Sequence, residues 1–339
     1  MKKSVRTIIK EWMLPIAMLT GASVYLLYHA LPAPFHKAGS FLSDLVGVLQ
    51  PCLIFSMLFL TFCRIEPREL KPHRWHWWLL LIQGGMFAIL GLAAWGVLGW
   101  LPVGHHGRVI LIESAMLCMI CPTATAAAVV TRKLGGDVAG ITTYTVLINM
   151  LVACLVPVVV PLIQPMEGVD FWMAFSMILA KVFPLLIMPC LAAWLVRYLL
   201  PKFHRWLLGF PDLAFYIWAV SLALAIAVSV KYLMASTLSS GMIGLMALVS
   251  LICCAFQFAA GKAVGWHCPS RAALRRGEAA SSALRNKITA GQALGQKNTV
   301  FAIWMAYTFM TPETAIIGGL YSIWHNIYNS WQLNRAADK

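Results

Sequence analysis

Long, uninterrupted apolar runs limit what this chain can become. Each is about 20 residues or more, the length a helix needs to cross the hydrocarbon core of a bilayer. In that solvent every backbone N–H and C=O must pair within the protein, so only helices and closed barrels span it. Barrel strands alternate apolar and polar residues. These runs do not alternate, so an all-α integral membrane protein is expected. The whole chain agrees, with 60% hydrophobic and 11% charged residues, where soluble domains carry about a quarter charged. Ten spans are placed at 12–31, 41–62, 77–101, 109–131, 138–163, 172–200, 212–230, 241–261, 288–308 and 312–332. The first run is too long for a signal peptide and lacks a small-residue cleavage site, so it is read as a retained helix.

The formal net charge of +14 raises nucleic acid as a partner, but its distribution reports topology instead. Of 26 Lys and Arg residues, 21 lie at the termini, in the connections after even-numbered spans or, for Arg197, in the last turn before one; three (Lys37, Arg108 and Lys231) lie on the other side, and Lys181 and Lys297 fall deep within spans. This asymmetry predicts both termini on the cytoplasmic side of a bacterial inner membrane. No nucleic acid partner is expected. Membrane lipid is, because the basic connection 262–287, with "SRAALRRGEAASSALRNK", suits anionic headgroups and a short interfacial helix. The nine cysteines sit mostly in apolar segments, where cysteine is a small core residue, and no disulfide framework follows.

Ten spans divide into two sets of five, residues 1–165 and 171–333. An odd number of crossings turns the second set upside down, giving an inverted repeat. The fourth and ninth spans then correspond, and both are interrupted. "MICPTATAAAVVTRKLGGD" (119–137) contains Pro122, which lacks a backbone donor and blocks helix continuation. "TAGQALGQKNT" (289–299) contains Gly291 and Gly295 beside a lysine, Lys297. Paired weak points in corresponding spans point to a transporter site near the midplane. Half-helix ends there offer unpaired N–H and C=O groups to ions or substrate.

Three segments resemble the bile acid:sodium symporter family: "CPTATAAAVVTRKLGGDVAGITTYTVLINML" (121–151), "ALGQKNTVFAIWMAYTF" (293–309) with its Gly-x-x-Asn pattern, and "TPETAIIGGLYSIWHNIYNS" (311–330). The resemblance implies ten helices arranged as a panel (12–62 and 172–230) and a core (77–163 and 241–332) with crossed, broken fourth and ninth helices. Substrate would sit between core and panel, and alternating access would come from their relative motion.

The chain departs from that family's sodium-coupled members at the residues that hold the ion. Their span-9 motif has a glutamate where this sequence has Ala293, and a glutamine where it has Lys297. Ala127 and Ala128 replace a Ser-Asn pair, and Ile141 replaces a serine, with Thr145 one turn on. Sodium, a hard cation, needs oxygen ligands, and these replacements supply none. Lys297 is therefore expected to act as a tethered substitute for the ion, with Gln83, Gln296, Asn298 and Thr145 as its surroundings. Transport is expected to be sodium-independent. A lysine desolvated during part of a cycle can release its proton there, which would make protons the coupling partner. Lys297 is also placed to meet a substrate carboxylate; snorkelling or pairing with backbone is the structural alternative.

Thr123, Thr125, Asn298 and Thr299 fall at the two breaks and are candidate substrate contacts, with satisfaction of unwound backbone as the competing role for Thr125. Lys181, about 15 Å into span 6, either draws an anion to the cavity or pairs with Glu113 or Asp44. Glu113 itself is expected at the membrane interface. "CMIC" (118–121) is read as close helix packing rather than a metal site, and His325 as a packing group with a secondary proton role. No cofactor is expected. The leading function is secondary transport of a small or amphipathic organic anion, in a symport-type fold. The alternatives are a monovalent cation:proton antiporter of related fold, against which this chain has Ala127 and Ala128 rather than an aspartate at the span-4 break, and a non-transporting membrane sensor. No constellation of paired carboxylates or clustered histidines suggests an enzyme.

Overall fold

The computed structural model describes residues 5–32, 39–100, 106–166, 168–210 and 212–337. Lys2, Lys3, Lys37 and Lys339, which enter the charge asymmetry, and residue 101 at the edge of the third expected span lie outside the described residues. Fifteen α-helices are described: α1 Val5–Ala30, α2 Gly39–Cys63, α3 Arg74–Trp100, α4 His106–Ile120, α5 Ala127–Lys133, α6 Val138–Ile163, α7 Phe171–Leu186, α8 Met188–Leu199, α9 Pro201–Leu208, α10 Leu213–Ala235, α11 Ser240–His267, α12 Arg271–Arg275, α13 Ala279–Gly295, α14 Thr299–Phe309 and α15 Ala315–Ala337. Among the described residues there is no strand, only an isolated antiparallel bridge between Thr123 and Lys297.

Among the described residues, six stretches are long and apolar enough to cross a membrane: Ser43–Cys63, Arg74–Gly96, Val138–Ile163, Phe171–Leu199, Leu213–Ala235 and Ser240–His267. Val109–Ile120 and Thr299–Phe309 are shorter apolar helices. Large apolar side chains such as Leu27, Leu81, Trp172 and Leu248 point outward, while Gln50, Gln83, Glu113 and Gln257 are wholly buried. That inversion suits a protein whose surrounding solvent is lipid, where polar groups must find partners inside.

Local chemistry places the breaks and ends. Asp170 caps α7 by accepting from the Met173 N–H at 2.8 Å, a cap worth about 1 kcal/mol. The expected sixth span is two helices in line, α7 and α8, separated at Ile187, with Pro184 in the last turn before it and Pro189 just after. Each proline withholds a backbone donor. The basic connection forms the short α12, and α13 starts at Ala279, well before the expected start of the ninth span at 288. The first half of α13 is amphipathic, with Leu284 and Arg285 exposed, whereas every residue from Thr289 to Val300 is buried. Hydropathy registers only that second half.

Close approach fixes the helix pairs. Gly261 and Gly265 lie one turn apart on α11, against α13. A Cβ on Gly261 would meet the Ala290 carbonyl oxygen at 2.4 Å, and one on Gly265 would meet the Asn286 oxygen at 2.2 Å. Small residues at this spacing let backbones touch where no hydrophobic effect drives helices together. Gly261→Val is therefore expected to destabilise the fold by about 1–3 kcal/mol, as overpacking does. A melting temperature equal to the wild type's would show that α11 and α13 can separate without cost.

Candidate functional site

The two interrupted helices break at one place. α4 stops at Ile120 and α13 at Gly295. Their unwound continuations pair with each other: the Ala124 N–H donates to the Gln296 oxygen at 2.8 Å, and the Asn298 N–H donates to the Pro122 oxygen at 2.8 Å. The bridge centres on Thr123 and Lys297. The Thr123 hydroxyl adds a bond to the Ala293 oxygen at 2.6 Å.

A helix leaves its last four carbonyls without intrahelical partners, so a helix that ends in the core must find them elsewhere. At the end of α4 the Leu117 oxygen accepts from the Cys121 N–H at 3.3 Å. The Cys118 oxygen accepts from Gln257 Nε2 at 3.1 Å, and the Met119 oxygen from Lys297 Nζ at 3.3 Å. Gln83 Nε2 serves both Ile120 at 3.1 Å and Cys121 at 2.8 Å. At the end of α13 the Ala293 oxygen takes Thr123, and the Gly295 oxygen takes the Tyr321 hydroxyl at 2.8 Å. Two C-terminal helix ends, each with partial negative charge, thus meet at one point, and an ammonium sits there.

Lys297 is 1% exposed. Its single hydrogen bond leaves two of the three ammonium donors without a protein acceptor. Beside it is a small cavity lined by Cys118, Cys121, Thr299 and Tyr321, among others. The thiols of Cys118, Cys121, Cys253 and Cys254 are its electrostatic neighbours. Among the described residues no carboxylate forms an ion pair with it.

The other expected residues divide by location. Thr123, Gln296, Asn298 and Thr299 are buried at the crossing. Asn298 caps α14, its Oδ1 accepting from the Phe301 N–H at 3.2 Å, while Asn298 Nδ2 and Gln296 Oε1 have no partner. Thr125 is half-buried in the turn before α5. Gln83 reaches the crossing but bonds carbonyls and the Tyr144 hydroxyl (2.8 Å) instead of Lys297: its Nε2 is a donor, and its Oε1, the atom that could accept from an ammonium, takes the Tyr144 hydroxyl. Thr145 bonds back to the Ile141 oxygen of its own helix at 2.9 Å. Lys181 is not brought to the crossing. It is exposed, with Nζ 5.7 Å from the centre of the Phe309 ring at the far end of α14. Glu113 is fully buried, accepting from Gln164 Nε2 and from the Thr311 N–H at 3.2 Å.

Sequence reasoning missed Gln257, Tyr144 and Tyr321, whose roles consist of satisfying orphan groups across helices. One signal for Gln257 was available. It lies 174 residues after Gln83 (257 − 83 = 174), the same interval that separates Thr123 from Lys297.

None of the curated protein sequences matches the chain. Residues 51–236, more than half of the 339, match the family described as Sodium Bile acid symporter family. With apolar helices able to cross a membrane and two helices that break and pair in the core, the chain belongs to the sodium bile acid symporter family of membrane transporters.

Proposed function

We propose that this chain moves a small or amphipathic organic anion across the membrane by alternating access, without sodium, and that Lys297 stands where sodium-coupled relatives bind their cation. The observation that carries this reading is the seat of the ammonium: wholly buried, donating to the Met119 carbonyl at the end of α4, with no carboxylate beside it. A carbonyl-lined point between two helix C-termini suits a cation, and here the chain supplies its own. Ala127, Ala293 and Ile141, at the positions of lost ligands, are buried and bring no side-chain oxygen. The spare ammonium donors and the unpartnered Asn298 Nδ2 outnumber the one unpartnered acceptor there, Gln296 Oε1, and favour an anionic substrate.

Two inverted five-helix repeats, 1–165 and 171–333, support alternating access. The interval of 174 residues also relates Asp137 to Thr311, which lie in matching links (311 − 137 = 174). Both donate their backbone N–H to a side-chain oxygen on the first half of the opposite broken helix, Thr289 at 2.8 Å and Glu113 at 3.2 Å. In this arrangement 77–163 and 241–332 form the core, 12–62 and 172–230 the panel, with both termini cytoplasmic.

The test is thermal unfolding in sodium chloride against choline chloride at equal ionic strength. An ion that binds only the folded state stabilises it by about 2.7 kcal/mol at 100 times its Kd. No sodium-specific shift is expected in the wild type. A clear rise in melting temperature with sodium would sink the substitution.

A further inference from the structure

One face of α15 is polar along its buried length. Tyr321, His325 and Asn329 follow at i, i+4 and i+8, a spacing that stacks side chains on one side of a helix, and Gln332 continues the row. Tyr321, His325 and Asn329 are 2%, 5% and 4% exposed. At the crossing end the Tyr321 hydroxyl accepts from Gln257 Nε2 at 3.1 Å and borders the cavity beside Lys297. His325 stacks edge-on against Tyr321, their ring centres 5.6 Å apart. Further along, Gln292 Nε2 of α13 donates to Asn329 Oδ1 at 2.9 Å.

This row is under-satisfied. Gln257 Oε1, Gln292 Oε1, Ser322 Oγ, His325 Nδ1 and Asn329 Nδ2 are buried with no protein partner. Native interiors leave few such groups, and those that persist in polar spaces bond to internal water. The fold does not demand polarity here. α6 starts at Val138 and α15 at Ala315, 177 residues later (315 − 138 = 177), which carries Tyr321, His325 and Asn329 onto Tyr144, Ile148 and Val152 of α6, all fully buried; Tyr144 meets Gln83 as Tyr321 meets Gln257. Past the shared tyrosine, one repeat fills this face with Ile148 and Val152 and the other with His325 and Asn329.

We propose that the Tyr321–His325–Asn329–Gln332 face of α15 is a hydrated file that passes protons between the C-terminal end of α15 and Lys297, making the proton the coupling ion. This rests on the reading of Lys297 as the cation substitute. The proton arrives by exchange along hydrogen-bonded water and the imidazole, and the ammonium releases it the same way, with no bond to carbon made or broken. The titratable groups at the crossing are Lys297, Tyr321 and the thiols of Cys118, Cys121, Cys253 and Cys254; Lys262 bonds the Tyr328 hydroxyl, one residue before Asn329, Arg335 follows Gln332, and α5, which packs against α15, carries the exposed Arg132 and Lys133. α10, α11, α13, α14 and α15 contain no Asp or Glu. Glu113 of α4 and Glu313 before α15 lie at the opposite end, and Asp137, whose backbone N–H meets Thr289 of α13, has its carboxylate 3.9 Å from His73; among the described residues no carboxylate bonds to Tyr321, His325, Asn329 or Gln332.

The test uses the full-length chain in two measurements. In lipid nanodiscs, hydroxyl radicals generated in place from water label side chains next to internal water, read by mass spectrometry and normalised to the unfolded chain. Tyr321 and His325 are expected to label several-fold more than Tyr144, Ile148 and Val152, and the double variant H325L/N329L is expected to lose the label on Tyr321. Equal background labelling of both faces overturns the file. In vesicles holding a pH dye, with a potassium diffusion potential set by valinomycin, the wild type is expected to carry protons several-fold faster than protein-free vesicles. His325→Leu, which gives this face the apolar character of Ile148 in the other repeat, is expected to lose most of that increment while keeping the wild-type melting temperature. Wild-type flux equal to that of protein-free vesicles overturns the proposal. Flux kept in His325→Leu but lost in Lys297→Gln overturns the file and spares the reading of Lys297. Flux lost in His325→Leu but kept in Lys297→Gln supports a conducting file and overturns Lys297 as its terminus.

Discussion

Lys297→Met is expected to melt at the wild-type temperature or above it, and to transport almost nothing. The two expectations share one cause. Burying an ammonium in the protein interior costs several kcal/mol after relaxation. Against that, Lys297 has one hydrogen bond, 3.3 Å long, to Met119; a bond from a charged group contributes about 1.5–3 kcal/mol. The helix end adds up to about 2 kcal/mol in a partly buried setting. Methionine fills similar space without the desolvation cost. It leaves the Met119 oxygen unpaired, at about 1–3 kcal/mol, so the exchange comes out near neutral or favourable. Function loses the whole charge. A charge-assisted bond to a substrate carboxylate, at about 1.5–3 kcal/mol, corresponds to roughly a 10- to 150-fold loss of affinity, at about 1.4 kcal/mol per tenfold. The measurement pairs melting in detergent with uptake into proteoliposomes. A variant that melts much lower yet still transports would make Lys297 a structural strut.

Gln83→Leu is expected to do the opposite, lowering stability by roughly 3 kcal/mol or more. The Gln83 amide is fully buried and makes three bonds: to the Ile120 and Cys121 oxygens and from the Tyr144 hydroxyl. Leucine leaves all three partners unsatisfied, and each buried orphan costs about 1–3 kcal/mol. Tyr144→Phe removes one bond from the same set and should cost about 1 kcal/mol. A graded series of melting temperatures, wild type above Tyr144→Phe above Gln83→Leu, is the expected result. If Gln83→Leu melts with the wild type, the end of α4 is not held by this amide, and water or a rearranged crossing serves it instead.

Lys297 and Gln83 show how differently two neighbouring residues reached the site. Lys297 announced itself because a charge inside an apolar span is costly enough to demand a purpose. Gln83 stood out as polar, yet its partners did not, because they are backbone carbonyls exposed only where Pro122 ends a helix. The partners of Glu113 were hidden for a related reason: Gln164 and the Thr311 N–H come from remote parts of the chain. Lys181 sits in an apolar span too, and its surface position on α7 is set by helix rotation, which hydropathy along the chain does not report.

The helical, membrane-spanning class was written in the residues themselves, because lipid admits no backbone left unpaired and leaves apolar helices as the answer to long apolar runs. The two weak points, Pro122 and the Gly291–Gly295 stretch, were visible for the same local reason: proline and glycine act on the backbone wherever they stand. Tertiary structure alone decided that the two breaks pair through Thr123 and Lys297, and that Gln83, Gln257 and Tyr321 satisfy the freed carbonyls. It also decided that the polar face of α15 is enclosed rather than open to solvent. Those are contacts between segments far apart in sequence, set by how helices rotate and slide against one another, and no run of neighbouring residues encodes them.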